Sequence, residues 1–334
     1  MKKIQTLCFC LLLACGISRA QHTVTPLDAA DVLPEAQWRG KWIGIDHLTE
    51  GEDISYKTRV NARYLRSEFS VQDKEIRSAK AYIAAVGYYD LYVNGLQQDA
   101  DHVLKPVQTD SRKSMEYNVV DVTAALKQGN NAIGVILGNG RAVPMRYSKH
   151  SKCPFLGYPK CRIDLMITYA DGKTQRVSTS EKTWKATCNG AIRSNNEYDG
   201  EVYDARCEMQ GWNTVGFDDS AWQQAELAEL PIGALYPQTA ANQCPTPLAT
   251  MQSQTGKISA PSLWQGTRGE YYADLKQNIA GYIALRIRGN EGDTIRIKYA
   301  ERLNEDSTLY VANLRDAETE DIYICNGKIG RAHV

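Results

Sequence analysis

Polar and apolar residues alternate with a period of two over much of the chain. In "KCRIDLMITYADGKTQRVS", Ile163, Leu165 and Ile167 alternate with polar neighbours, Asp171-Gly172 supplies a turn, and Gln175 to Ser178 returns the chain. That pattern predicts a half-buried β-hairpin. "AYIAAVGYYDLYVNG" predicts two strands broken near Gly87 and closed by Asn94-Gly95. "YIALRIRGNEGDTIRIKYAE" predicts a second hairpin, with Ile283, Leu285 and Ile287 on one arm and Ile295, Ile297 and Tyr299 on the other. Helical periodicity is nearly absent beyond the N-terminus. The prediction is an all-β chain of antiparallel β-sandwiches with jelly-roll or related topology. The stretch "ELPIGALYPQTAANQCPTPLATMQSQTGKISAPS" is rich in Pro, Ser, Thr and Gln without sustained alternation, so it reads as a linker. The expected organisation is a first sandwich over 36–235, a linker over 236–262 and an incomplete second sandwich over 263–328.

The N-terminus adds an address. Lys2 and Lys3 precede an apolar run from Leu7 to Ala14, followed by Ser18-Arg19-Ala20. This is the layout of a secretory signal peptide over 1–20, and the run is too short for a transmembrane helix. A second reading takes Leu12-Leu13-Ala14-Cys15-Gly16 as a lipoprotein box with Cys15 lipidated. Both readings put the mature chain outside the cytoplasm, secreted or periplasmic in one case and anchored to an outer membrane in the other.

Charge excludes some partners. The 39 basic and 39 acidic residues balance, which argues against nucleic acid and against a polybasic membrane contact. Tyr is abundant at 19 against 4 Phe, a bias that suits sugar stacking and equally suits β-sheet. Of nine cysteines, Cys8, Cys10 and Cys15 fall in the leader, and the others form no C-x-x-C pair that would suggest zinc. Cys153 and Cys161 flank the turn-rich "PFLGYP" and are candidates for a disulfide, or else small buried hydrophobes. The five histidines show no metal-ligand spacing, and no G-x-S-x-G, Walker loop or dinucleotide fingerprint occurs. "GVILGNG" lacks the following helix that phosphate binding needs and reads as a turn.

One stretch concentrates acids. "EYDGEVYDAR", Glu197 to Arg206, holds four carboxylates. Inverting glycosidases place two carboxyl groups roughly 6.5–9.5 Å apart, and side chains two apart on a strand lie about 6.5–7 Å apart on one face. Asp199 and Glu201 meet that distance. Acids so spaced are also common decoration of an exposed strand.

Several motifs in one order carry a resemblance. "YLRSEF", "GYYDLYVNG", "YNVVDVTAALKQGNNAIGVILGNG", "DGEVYDAR" and "GWNTVGFDDSAW" resemble the N-terminal region of bacterial α-L-rhamnosidases, inverting glycoside hydrolases that remove terminal rhamnose from plant glycans. The stretch from "DLKQNIAGYIALRIRGNEGDTIRIKYAERL" to "DIYICNG" is similar to the family's following β-domain. The resemblance covers roughly 38–328. It implies that catalysis belongs to a helical barrel that follows these β-domains, so no catalytic residue is expected here. The acids of "EYDGEVYDAR" are then expected to satisfy loop backbone or to pair with Arg206. The resemblance also implies rhamnose-containing carbohydrate as the partner and admits one cofactor, a calcium ion bridging sugar hydroxyls, with none required. Asp110 in "PVQTDSRK" is the first candidate ligand, with Asn139 in "GNG" and the loop before Pro159 beside it. Arg141 stands where relatives often carry Trp, which removes an aromatic platform. No oligomeric state follows. After "DIYICNGK", relatives continue with a different stretch, whereas this chain reads "IGRAHV". That hexapeptide can be encoded by a common sequencing-adapter string, so Ile329 to Val334 are expected to be artefactual and the chain an N-terminal fragment. The rival class is a free-standing carbohydrate-binding or surface-adhesion protein.

Overall fold

The computed structural model describes residues 32–143, 155–229, 231, 233–239, 242, 252–253, 256–257, 262–266, 269–276, 278–281 and 283–333. The alternating segments become strands, and the helical residues form only short 3-10 turns. No helix among the described residues is long and apolar enough to cross a membrane. In chain order the strands are β1 (Ile43–Gly44), β2 (Arg63–Val71), β3 (Ile76–Val86), β4 (Tyr88–Val93), β5 (Leu96–Gln98), β6 (Ser114–Asp121), β7 (Gly129–Gly138) and β8 (Lys160–Tyr169). Then come β9 (Thr174–Ser178), β10 (Lys185–Thr187), β11 (Ile192–Asn196), β12 (Gly200–Asp204), β13 (Gln223–Gln224), β14 (Glu226–Leu227) and β15 (Ala234–Pro237). The C-terminal part adds β16 (Gln252–Ser253), β17 (Gly256–Lys257), β18 (Ser262–Gln265), β19 (Tyr271–Asp274), β20 (Ala284–Arg288), β21 (Thr294–Lys298), β22 (Glu320–Ile324) and β23 (Ile329–His333).

The first unit is a two-sheet sandwich. One sheet runs β14-β1-β8-β3-β6-β15, with β9 paired to β8, and the other runs β13-β10-β2-β7-β4-β5. Apart from short β5 and β9, successive strands from β2 to β10 alternate between the sheets, which is jelly-roll-like. The sheet is not wholly antiparallel, because β15 runs parallel to β6 from Ala234–Ser114 to Pro237–Tyr117. The hairpin of β8 and β9 forms with Thr168 opposite Thr174, and β3 and β4 break at Gly87 as the alternation indicates.

Alternation decides the core. Ile163, Leu165 and Ile167 of β8 and Ala81 and Ile83 of β3 face Leu65 of β2, Leu91 of β4 and Val135 of β7, all essentially without solvent exposure. Burying each large aliphatic contributes about 1.5–3 kcal/mol. Both outer faces are also covered. Trp38, Trp42, Tyr82 and Tyr117 close one sheet, and Tyr64, Trp212 and Trp222 close the other. The "GWNTVGFDDSAW" segment is therefore a lid on the outer face of β2 and β7. Arg66, itself buried, holds it by donating from Nε to the Trp212 carbonyl at 2.8 Å and from Nη2 to the Thr214 carbonyl at 2.9 Å. At the sandwich end Arg63 is buried against Glu52 and donates to the carbonyls of Asn61 and His47, each at 2.9 Å. Cys161 is a buried free thiol, and its predicted partner Cys153 lies outside the described residues.

The C-terminal part departs from local expectation. The predicted hairpin around Asn290–Asp293 does not pair its own arms. Strand β20 pairs with β23, whereas β21 pairs with β22. The turn is bound instead to the end of β22, with Gly292 N donating to the Cys325 carbonyl and Cys325 N to the Asp293 carbonyl, both at 2.9 Å. That contact is invisible to a reading of turn residues alone. The stretch expected to be artefactual supplies β23, with Ile329 opposite Arg288 and His333 opposite Ala284. Strands β11, β12, β22 and β21 form one four-stranded sheet in which β12 runs parallel to β22. The hairpin of 192–204 thus joins residues assigned by sequence to separate units.

Gly134 on β7 lies directly beneath the lid. A Cβ added there would stand 2.6 Å from the Trp212 ring. Overpacking of this kind costs about 1–3 kcal/mol. Gly134→Ala is expected to lower stability by that amount in urea unfolding, and Trp212→Leu in the same chain to recover part of it. Additive losses from the two substitutions would show that the close approach is not the cause.

Candidate functional site

The turn before β6 is built by its own polar side chains. Thr109 Oγ1 donates to the Ser114 carbonyl at 2.7 Å, and the Asp110 carbonyl accepts from Lys113 N at 2.8 Å and Ser114 N at 3.1 Å. The Asp110 carboxylate accepts from Arg112 Nε and Nη2, both at 2.8 Å. The Arg112 guanidinium bonded to Asp110 lowers its pKa to about 2. Calcium takes 6–8 oxygen ligands. Here the candidate ligand is already committed to a cation, and no three His, Cys, Asp or Glu side chains converge among the described residues. The Asp110 carboxylate is thus occupied by Arg112 in this structure.

The other two candidates lie against backbone. Asn139 is fully buried, and its amide donates to the carbonyls of Val60 and Asn195, each at 2.8 Å. Its Oδ1 has no hydrogen-bond partner among the described residues. Pro159 is buried, and its carbonyl would lie 2.8 Å from a Cβ at Gly44. The structure brings the Asp110 turn to the "GNG" turn through Gln108, which donates to the Gly87 carbonyl at 3.0 Å and accepts from Arg141 N at 3.4 Å. A small cleft between these turns, lined by Gly87, Thr109, Ser111, Glu116, Ala142 and Leu156, holds about 10 Å³, room for one water. Glu116 Oε2 is buried with no hydrogen-bond partner among the described residues.

The acids of "EYDGEVYDAR" each find a place. Glu197 accepts from Tyr88 OH at 2.6 Å and from Arg141 Nε at 2.8 Å, so Arg141 ties the "GNG" turn to this stretch. Asp199 accepts from Asn196 Nδ2 at 3.2 Å. Asp204 caps the following 3-10 turn and accepts from Arg206 Nε at 2.9 Å and Nη2 at 2.7 Å. Gly200 has φ +94, and a Cβ there would stand 2.4 Å from the Glu320 carbonyl, so the "DGE" step requires glycine. Glu201 is different. Its backbone N donates to Asp321 Oδ1 at 2.7 Å, and its largely enclosed side chain feels the charges of Asp321 and Asp90. Burial first, then the charges of Asp321 and Asp90, push its pKa up to about 8. Asp321 and Glu201 are brought together by the β12–β22 ladder, for which no sequence signal exists.

The profile of the "Alpha-L-rhamnosidase N-terminal domain" matches residues 74–244. The chain belongs to the bacterial α-L-rhamnosidase family. A second profile, the "Bacterial alpha-L-rhamnosidase concanavalin-like domain", matches 265–333. An α-L-rhamnosidase of Streptomyces avermitilis is 34% identical over 274 residues, which is 80% of this chain and 25% of that protein. One from Alteromonas sp. (strain LOR) is 31% identical over 299 residues, 88% of this chain and 30% of that protein. The solved α-L-rhamnosidase of Dictyoglumus thermophilum superposes with a TM-score of 0.75 at 37% identity, over 90% of this chain and 33% of that one. The Streptomyces avermitilis α-L-rhamnosidase structure complexed with L-rhamnose gives 0.72 at 30% identity, over 83% and 26%. The chain therefore spans a quarter to a third of the rhamnosidases it matches.

A buried carboxyl whose folded pKa lies above its ordinary 4.5 binds its proton more tightly in the folded state. Its contribution to stability is complete below about pH 4.5 and is lost as pH rises toward 8. Glu201→Gln removes that loss. The variant is expected to gain stability over the parent chain as pH goes from about 5 to 8, on the order of 2–4 kcal/mol. Chemical denaturation across that pH range checks it, and parallel profiles would show that Glu201 is ionised without cost.

Proposed function

We propose that the chain forms the accessory β-domains of a secreted α-L-rhamnosidase that acts on terminal α-L-rhamnose of plant glycans, and that the hydrolytic carboxylates lie in parts of the enzyme beyond these domains. The observation that carries this reading is the match of both N-terminal family profiles, in order, to a chain spanning a quarter to a third of its relatives. The geometry agrees with it. Asp199 accepts from Asn196, Asp204 from Arg206, and Glu197 from Tyr88 and Arg141, while Glu201 stands beside Asp321. Secretion rests on the leader-like residues 1–20, which lie outside the described residues.

The expected outcome is that this chain does not hydrolyse an aryl α-L-rhamnoside above background. Turnover that disappears in Asp199→Ala or Glu201→Ala would return the chemistry to this stretch.

The relative solved with L-rhamnose makes rhamnose the partner to test. The reading requires no cofactor. Calcium at Asp110 would have to displace Arg112, which already holds both carboxylate oxygens. Calorimetric titration with L-rhamnose is expected to give the same result in calcium and in chelator, and to be unchanged by Asp110→Ala. Heats that require calcium and vanish in Asp110→Ala would establish the Asp110 calcium site instead.

A further inference from the structure

A second cleft lies away from the Asp110 turn. It sits between the 3-10 turn that follows β12 and the end of β10, on the edge of the other sheet. Thr187, Asn189, Arg206, Cys207, Glu208, Met209, Ala221 and Trp222 line it, and its volume is about 320 Å³. That is the lower end of the range for small-molecule sites, which join an apolar floor to a few convergent polar groups.

The polar groups here are only partly used. Arg206 spends Nε and Nη2 on Asp204, and its Nη1 has no hydrogen-bond partner among the described residues. Glu208 accepts from Tyr203 OH on Oε1 at 3.0 Å, and its Oε2 has no hydrogen-bond partner among the described residues. Thr187 Oγ1 accepts from Asn189 N at 3.2 Å, which leaves its hydroxyl hydrogen free to donate. The Asn189 side-chain amide and the Trp222 indole N–H have no protein partner among the described residues. Met209, Ala221 and the edge of Trp222 give the floor its apolar character, and Trp222 is fixed against Trp212 with ring centroids 6.1 Å apart.

We propose that this cleft is a binding site for a neutral saccharide. A sugar offers an apolar C–H face to the Trp222–Met209–Ala221 floor, and its hydroxyls both donate and accept. The rim supplies both: Glu208 Oε2 accepts, Arg206 Nη1 donates, and Asn189 does each. Arg206 is already paired with Asp204, so Glu208 is the unpaired charge among the lining residues, and its carboxylate accepts from sugar hydroxyls rather than binding an anion. The inference rests on this cleft and not on the reading of the Asp110 turn. With Trp222 buried beneath the floor and few hydrogen bonds, affinity is expected near the millimolar range, about 4 kcal/mol.

Cys207 is a half-buried free thiol in the wall, the other three cysteines among the described residues are buried, and peptide mapping separates it from those outside them, so it is a local reporter. The whole chain is alkylated with iodoacetamide in the presence of methyl α-L-rhamnoside or cellobiose at about ten times the millimolar scale expected, and labelling at Cys207 is read by peptide mass spectrometry. At least one sugar is expected to slow Cys207 labelling several-fold. Asn189→Ala and Glu208→Ala, both at exposed positions, are expected to abolish the protection while keeping the parent circular dichroism and melting. Asp110→Ala is expected to leave the protection intact. Unchanged Cys207 labelling with both sugars would overturn the proposal, as would protection that survives both cleft substitutions. Protection lost only in Asp110→Ala would also overturn it, and would move saccharide binding to the first cleft.

Discussion

The molecule depends on one packing constraint, the burial of two sheet faces against each other. Leu65, Leu91 and Val135 on one sheet meet Ile83, Ile163 and Leu165 on the other, all essentially sealed from water. Such a face fixes strand register, because a slip of one residue would carry every one of these side chains to the opposite face. Each ladder that follows, from β2 against β7 to β3 against β8, inherits its register from that requirement. The outer faces add a second layer of cover, and there the chain uses Trp and Tyr with buried arginines rather than aliphatics alone. A buried Arg stripped of its partners costs several kcal/mol. Arg63 and Arg66 therefore hold the loops that satisfy them, Asn61 and His47 in one case and the Trp212–Thr214 segment in the other.

The C-terminal part is organised by a different interaction. Its buried apolar cluster is small, with Ala205, Ile287, Tyr323 and Cys325 at its centre. What anchors it is backbone pairing. The parallel ladder from Val202–Ile322 to Asp204–Ile324 makes the 192–204 hairpin part of the C-terminal sheet, and Tyr203 stacks on Tyr323 at 5.5 Å. Closing this junction places Glu201 next to Asp321, and burial together with that charge favours the protonated carboxyl. The acid-rich stretch is thus shaped by assembly. Its glycine, its capping aspartate and its buried glutamate each answer a need of the junction.

Candidate sites follow from which polar groups the scaffold leaves unspent. At the Asp110 turn the carboxylate is taken by Arg112, and the Asn139 amide nitrogen is taken by the Val60 and Asn195 carbonyls, with its Oδ1 left without a partner among the described residues. At the Thr187–Trp222 cleft, Glu208, Arg206 and Asn189 retain binding capacity above an apolar floor. A side chain's identity does not distinguish these cases, because a carboxylate two residues from an arginine can pair with it or turn away.

The sequence by itself determined the class of the fold and many of its strands. Period-two alternation is a local property, and wherever one face is buried it has one solution, as in β4, where Tyr89, Leu91 and Val93 are buried and their neighbours are not. The ordered motifs from Tyr64 to Trp222 likewise identified the family, since relatedness is written in residue order. Only the tertiary structure decided what pairs with what across distance. It assigned β20 to β23 and β21 to β22 in place of a hairpin, and it ran β12 and β15 parallel to distant partners. It also brought Arg141 to Glu197 and Glu201 to Asp321. The physical reason is that backbone hydrogen bonding and charge pairing carry no address in the chain. Any donor serves any acceptor of the right geometry, and the sheet packing alone fixes which ones meet.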